Sequence, residues 1–362
     1  MLSLAECLPG KDVRKGKKMK RELVREGGVG GNHTRIASAE PDGLPHPLAP
    51  TGDSSAGSEG ADGRPSRQKD MQTLKIGHTP IFSLPEISEY FGIKHLAIKD
   101  ESANQFGTHK DRKSLHVVLE TVNTTSGSRD EALCILTAGN AGLSLAKIAA
   151  SYGVPITAFV GGNSISQVLR AQLESACETI IPLDLEERLW PSDELCSLAG
   201  ANQGRRVRDV TNGVIEPFEG IVDEICQLGE EQLPDVIVLP VGGGELFLGL
   251  ARGLKKHGLR TRLIGVTVRK DSAADKLYTK WNPYAEYIKK LTDSESPHCL
   301  RSLDDEGLLL DTFRWLRSSG GIQCEPSSAA AFTLLHKIRG GLEQHEKVMV
   351  INTGTFTFGH GF

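Results

Sequence analysis

No stretch of this 362-residue chain reaches the roughly 18–20 apolar residues a membrane-crossing helix needs. Residues 1–30 lack the apolar core of a secretory signal. Neither sign of charge dominates, since 42 Lys and Arg against 46 Asp and Glu leave a net charge of -4. That balance gives no whole-chain case for nucleic acid or an anionic membrane as partner. The seven cysteines (Cys7, Cys134, Cys177, Cys196, Cys226, Cys299, Cys324) form no CxxC pair and no disulfide framework. Free thiols in apolar surroundings and a reducing cytoplasm are expected instead. The histidines show neither HExxH nor paired spacing, so no metal site is expected. A Walker loop, a GxGxxG fingerprint and a GxSxG elbow are all missing.

Residues 1–70 stand apart from the rest of the chain. Lys11 to Arg25 is rich in Lys and Arg, and residues 41–66 are rich in Gly, Pro, Ser and Asp. No sustained apolar period runs through them, so a disordered tail is expected. Globular sequence begins after Met71, which makes Met71 a candidate alternative start. The basic run lacks aromatics and is interleaved with Glu22 and Glu26, which weakens a nucleic-acid role.

From Met71 onward, strand and helix patterns alternate, which predicts α/β architecture with two open parallel sheets. Strands are predicted at 94–99, 132–136, 156–160, 179–183, 235–241, 262–269 and 347–351. Helices are predicted at 114–121, 143–152, 166–176, 221–228, 246–256, 308–316 and 327–338. Residues 272–303 are polar, with scattered aromatics, and fit neither period. The pattern assigns 110–205 to a small mobile domain and 71–109 with 206–362 to a larger one.

Polar or glycine motifs stand at several strand ends, where open α/β sheets bind ligands. Lys110 sits where a Gly-containing turn opens a helix. There the helix field disfavours an ammonium and prepares an amine for attack on a carbonyl. Alternatively, Lys110-Asp-Arg112 is a solvated charge cluster. Gly242-Gly-Gly244 leads from a strand into a helix, as a phosphate cradle or merely a tight turn. Asn140, within Thr137-Ala-Gly-Asn-Ala-Gly142, is either a ligand-binding amide or a helix N-cap. Thr353 offers a hydroxyl to a ring nitrogen, or is an ordinary turn residue.

Taken in order over residues 75–355, these motifs resemble the fold-type II pyridoxal-phosphate enzymes. That tryptophan synthase β-like family includes threonine synthase, serine/threonine dehydratase and cysteine synthase. Gly77-His-Thr-Pro-Ile81 is similar to the family's opening G-x-T-P-L. Lys99-Asp-Glu101 with Asn104 to Arg112 is similar to its lysine motif. Thr137 to Gly142 resembles S-S-G-N-x-G, and Glu325-Pro-Ser-Ser-Ala329 resembles E-P-x-S-A. The resemblance implies pyridoxal 5'-phosphate as cofactor, held by Lys110 as a Schiff base. It implies that Asn140 meets the cofactor's 3′ oxygen, that Gly242, Gly243 and Gly244 hold its phosphate, and that Thr353 faces its pyridine nitrogen. Thr137, Gly139 and Asn140 would bind the substrate carboxylate. A freed Lys110 would serve as general base at Cα.

The implied activity is elimination or replacement on a small amino acid, and a homodimer is the expected assembly. Asn352-Thr-Gly354, residues 321–329 and residues 212–220 are most like threonine synthase. A dehydratase-type ammonia-lyase and a cysteine synthase-type replacement enzyme are the alternatives; a catalytically silent cofactor-binding relative is the third. Arg112 and Arg170 are the candidates for meeting a phosphorylated side chain. Gln105, His109 and Glu245 depart from the family pattern, Glu245 standing where dehydratases often carry a fourth glycine.

Overall fold

The structure, a computed structural model, describes residues 74–124, 131–161, 165–185, 187–201 and 205–355. The tail, the candidate start at Met71 and the last seven residues lie outside the described residues.

Two sheets organise the described chain. One has six strands, in the order β1 (Ile81–Phe82), β2 (His95–Asp100), β10 (Lys347–Asn352), β7 (Val236–Pro240), β8 (Arg262–Val268) and β9 (Cys299–Leu303). Only the β1–β2 pairing is antiparallel. The other sheet is wholly parallel, in the order β5 (Thr179–Leu183), β4 (Ile156–Gly161), β3 (Glu131–Thr137) and β6 (Arg206–Asp209). The two parallel-dominated sheets were expected. The four-stranded sheet, however, runs past residue 205, because β6 pairs with β3. Its sequence, Arg-Val-Arg-Asp, has no apolar run, since an edge strand need bury little.

The central strands explain the apolar runs of the sequence. β7 (Val-Ile-Val-Leu-Pro) and β4 are buried throughout, as parallel strands covered on both faces must be. On one side of the large sheet packs α10 (Pro326–Ile338), with Pro326 at its first turn. Its run Ser-Ser-Ala-Ala-Ala is fully buried, because small side chains let the helix lie close to the strands. On the other side lie α6 (Glu219–Cys226) and α7 (Glu245–Lys256), whose Phe247 and Leu250 join Phe218 and Ile221 in one core. The small sheet is covered by α2 (Lys110–Thr124) and α3 (Asn140–Tyr152), which share a core of Val117, Leu133, Leu145 and Ile148. Residues 272–303 fold into turns, a short helix at Ala285–Leu291 and strand β9.

Parallel register places the site. Asn352 pairs with Asp100, and Val350 with Val238, so β2, β10 and β7 end on the same edge. The loops beyond these strand ends therefore meet. An antiparallel bridge between Thr108 and Gly354 ties the loop before α2 to the end of β10. Among the described residues, no helix is long and apolar enough to cross a membrane.

Candidate active site

Lys110 is the first residue of α2, and the loop that delivers it is pinned from several sides. The Phe106 N–H donates to Asp111 Oδ2 at 2.7 Å. Ser144 Oγ on α3 donates to Asp111 Oδ1 at 2.6 Å. The His109 N–H donates to the Thr353 carbonyl at 2.9 Å, and His109 Nδ1 lies 3.0 Å from the same oxygen. Burial, together with the neighbouring Lys110 charge, pushes the His109 pKa down to about 3. The ring is therefore neutral near pH 7, with its proton on Nδ1, where the carbonyl can accept it. Burial also pushes the Asp111 pKa up to about 6, against its hydrogen bond from Ser144.

The Lys110 side chain keeps a quarter of its surface open, and the rest is enclosed by protein. Its amine lies 5.7 Å from the centre of the Phe218 ring and 3.8 Å from Glu245 Oε2. Burial lowers its pKa, the Glu245 carboxylate works against that, and the Lys113 ammonium adds to it. A lysine so placed releases its proton more readily than a solvated one. That is the requirement for an amine that must attack a carbonyl.

The other sequence motifs lie just beyond the ends of strands β3, β7 and β10. Asn140 is the first residue of α3, with Gly139 before it. Thr137 rather than Asn140 caps this turn with its side chain, its Oγ1 accepting the N–H groups of Gly139 at 3.2 Å and Gly142 at 3.0 Å. Gly142 must be glycine, because a Cβ there would lie 2.2 Å from Thr137 Cγ2. Thr137 thus braces this turn with its side chain. Asn140 Nδ2 donates to both Glu325 oxygens at 3.1 Å, and Lys276 Nζ reaches Glu325 Oε2 at 2.5 Å. At the end of β10, Thr353 Oγ1 and Ser328 Oγ share a hydrogen bond of 2.8 Å. The same Ser328 oxygen accepts the N–H groups of Thr353 and Gly354.

The glycine loop after β7 is built for close approach. A Cβ on Gly242 would lie 2.8 Å from the Lys276 carbonyl, and one on Gly244 2.4 Å from Ile288 Cδ1. Gly244 also takes φ 99°, a left-handed conformation that side chains disfavour. A Cβ on Gly243 would meet nothing within 4 Å, so that residue opens on free space at the start of α7. Helix N-termini favour anions.

Two tests bear on whether these residues suit pyridoxal phosphate. Among the described residues, Asn140 Oδ1 is buried with no hydrogen-bond partner, so it can receive a ligand hydroxyl. The donor set also matches: the loops after strand ends carry an amide at Asn140, a hydroxyl at Thr353 and backbone N–H groups at the start of α7, and the loop bridged to Gly354 carries the Lys110 amine. The residues fit the cofactor. Among the described residues, no group of three His, Cys, Asp or Glu is arranged to hold a metal ion.

Arg112 does not reach this space. Its Nε donates to Glu101 Oε2 at 2.7 Å and its Nη1 to Glu224 Oε1 at 2.7 Å, while Nη2 bridges both carboxylates. Lys99, fully buried, completes the cluster through Glu224 Oε2 at 2.5 Å. Arg112 is a structural cation and offers no charge to a phosphorylated substrate. Arg170 lies on α4 (Gln167–Glu174). Sequence reading gave no role to Lys113, Glu325, Lys276 or Ser328. The one signal for Lys113 was its spacing, three residues beyond Lys110 and hence on the same helix face.

Comparisons with known proteins agree with this geometry. A threonine synthase of Methanosarcina acetivorans is 24% identical over 327 residues, covering 79% of this chain and 76% of its own. Cysteine synthase B of Salmonella typhimurium is 25% identical, covering 72% and 86%. The crystal structure of cysteine synthase from Entamoeba histolytica superposes with a TM-score of 0.65 at 18% identity, covering 82% and 91%. These are fold-type II structures, and their likeness accounts for the fold. The profile of the family described as pyridoxal-phosphate dependent enzyme matches residues 72–354. That match spans most of the chain, so the protein belongs to the family of pyridoxal-phosphate dependent enzymes.

Proposed function

We propose that this enzyme acts on a small amino acid by elimination or replacement, with Lys110 as the residue that carries the cofactor and moves the Cα proton. The observation that carries the reading is the position of Lys110: a largely enclosed amine of lowered pKa at a helix start, on a loop bridged to the end of β10. Pyridoxal phosphate, when bound, supplies the electron sink for charge developing at Cα. The chain supplies the rest. Gly242, Gly243 and Gly244 offer backbone N–H groups to the phosphate at the start of α7. Asn140 meets the 3′ oxygen through its unpartnered Oδ1. Thr353, held by Ser328, faces the ring nitrogen with a hydroxyl, which donates a proton far less readily than a carboxylic acid. Gly139, Asn140 and the braced turn after Thr137 receive the substrate carboxylate at the N-terminus of α3. Movement of the small sheet with its covering helices, from Lys110 to the end of β6 at Asp209, would close the site and exclude water.

Within this class, threonine synthase-like replacement needs a cation for a phosphorylated side chain. Arg112 is already engaged by Glu101 and Glu224, which favours an unphosphorylated substrate such as serine, threonine or O-acetylserine. We further propose a homodimer that works in the cytoplasm, which sizing of the purified protein and fractionation of cells would check. For the reaction, the pyridoxal-phosphate-loaded protein is offered serine, threonine, O-acetylserine and O-phosphohomoserine in turn. A changed visible spectrum with release of a 2-oxo acid marks elimination, and a new amino acid marks replacement. A spectrum unmoved by all four would contradict the proposed substrate class.

A further inference from the structure

One buried ion pair beside Lys110 belongs to no part of the cofactor cradle. Glu245 is the first residue of α7, and Lys113 stands one turn after Lys110 on α2. Lys113 Nζ donates to Glu245 Oε1 at 2.7 Å and Oε2 at 2.9 Å, and to the Thr211 carbonyl at 2.9 Å. The Tyr284 hydroxyl lies 3.4 Å from Glu245 Oε1 and accepts the Gly213 N–H at 2.5 Å. The Glu245 side chain is 5% exposed, and its Oε2, shared with Lys113, is 3.8 Å from the Lys110 amine.

The charges are readily assigned. A helix start favours an anion, and Lys113 pairs with it at hydrogen-bond distance, so Glu245 is a carboxylate. A buried ion pair gains little stability over an apolar pair of the same volume. Its consequence is local: Lys110 faces one carboxylate from α7 and one ammonium from its own helix. The neutral His109 ring precedes it in sequence, and the Phe218 ring lies 5.7 Å from its amine.

We propose that Glu245 is a positioning residue for Lys110: it aims the amine and stabilises its protonated form, and Lys113 limits that stabilisation by sharing the carboxylate. The opposing effects of Glu245 and Lys113 on the Lys110 pKa agree with this arrangement. The inference rests on Lys110 being the reactive lysine. It places proton control in a pair that spans 132 residues of sequence.

The test uses the full-length chain stripped of cofactor, so that it does not depend on turnover. A small amine-reactive reagent is applied across the neutral-to-alkaline range, and Lys110 modification is followed by peptide mass spectrometry. On the acid limb of the profile, Glu245→Gln should label about tenfold faster than the parent and Lys113→Met about tenfold slower. Glu245→Asp should restore most of the parent profile. Superimposable profiles, or both variants shifting the same way, would overturn the proposal and leave the pair a packing feature. Circular dichroism checks folding, and if Glu245→Gln is lost, Lys113→Met still reads the sign. The two readings fail separately. A parent protein that never takes up pyridoxal phosphate sinks the proposed function; one that takes it up on Lys110 with unmoved profiles sinks this inference alone.

Discussion

Replacing Arg112 by Met tests whether that residue belongs to the scaffold or to the substrate. The substitution keeps length and apolar bulk but removes a guanidinium that donates to Glu101 and Glu224. Glu224 would then keep the Lys99 ammonium, and buried Glu101 would be left with the neutral donors Thr79 and Asn104. Breaking a buried pair by removing one partner costs about 3–5 kcal/mol. The Glu224 carboxyl gives an independent figure. Burial works against its ionisation, but the hydrogen bonds and charge of Arg112, with Lys99, hold its pKa at about 2 against 4.5. At about 1.4 kcal/mol per pH unit, that gap is worth about 3 kcal/mol. The sign is fixed by linkage. A depressed carboxyl pKa stabilises the fold above 4.5, and the contribution is lost as pH falls toward 2. Urea unfolding should therefore show Arg112→Met weaker by about 3–5 kcal/mol near pH 7, with a deficit that narrows in acid below about pH 4.5. A loss under about 1 kcal/mol, or a deficit independent of pH, would refute the scaffold role.

Two further outcomes rest on single residues. Gly244→Ala forces a side chain into a left-handed conformation and within 2.4 Å of Ile288, so it should cost about 1–3 kcal/mol and weaken cofactor uptake more than Gly243→Ala does; equal uptake by the two, measured by fluorescence titration, would contradict the cradle geometry. His109 titrates at about 3 in the fold, so stability drops as pH falls below the ordinary value of 6.5, by about 1.4 kcal/mol per pH unit. Asp111, raised to about 6, acts in the opposite sense as pH falls from 6 toward 3.8. The two slopes offset each other in the parent, so His109→Asn should gain stability on acidification across that window; an unaltered profile would show that His109 is not held neutral.

Much of the fold was legible because strands buried on both faces must be apolar throughout. Val236–Pro240 and Ile156–Gly161 are such strands, and the glycines at 242–244 and 161–162 in the sequence mark where they end. The edge strand Arg206–Asp209 escaped because an exposed edge needs no apolar run. Ala285–Leu291 and Cys299–Leu303 escaped because each is short and carries little apolar period. Within the site, the residues proposed to face the cofactor stood in order along the sequence. Their supports did not. Asn140 and Glu325 are 185 residues apart, Lys113 and Glu245 132, and such pairs exist only once the two sheets are built. The capping role passed from Asn140 to Thr137 for a similar reason, since Gly142 lets the threonine hydroxyl reach two N–H groups at once.

The most direct measurement asks where the cofactor is attached. The purified protein is incubated with pyridoxal phosphate, reduced with borohydride and digested, and the modified peptide is identified by mass. The expected result is a visible absorbance band lost on reduction, a single pyridoxyl adduct on Lys110, and neither band nor adduct in Lys110→Ala. An adduct on Lys113 or Lys276 in place of Lys110, or a protein that takes up no pyridoxal phosphate, would contradict the role of Lys110.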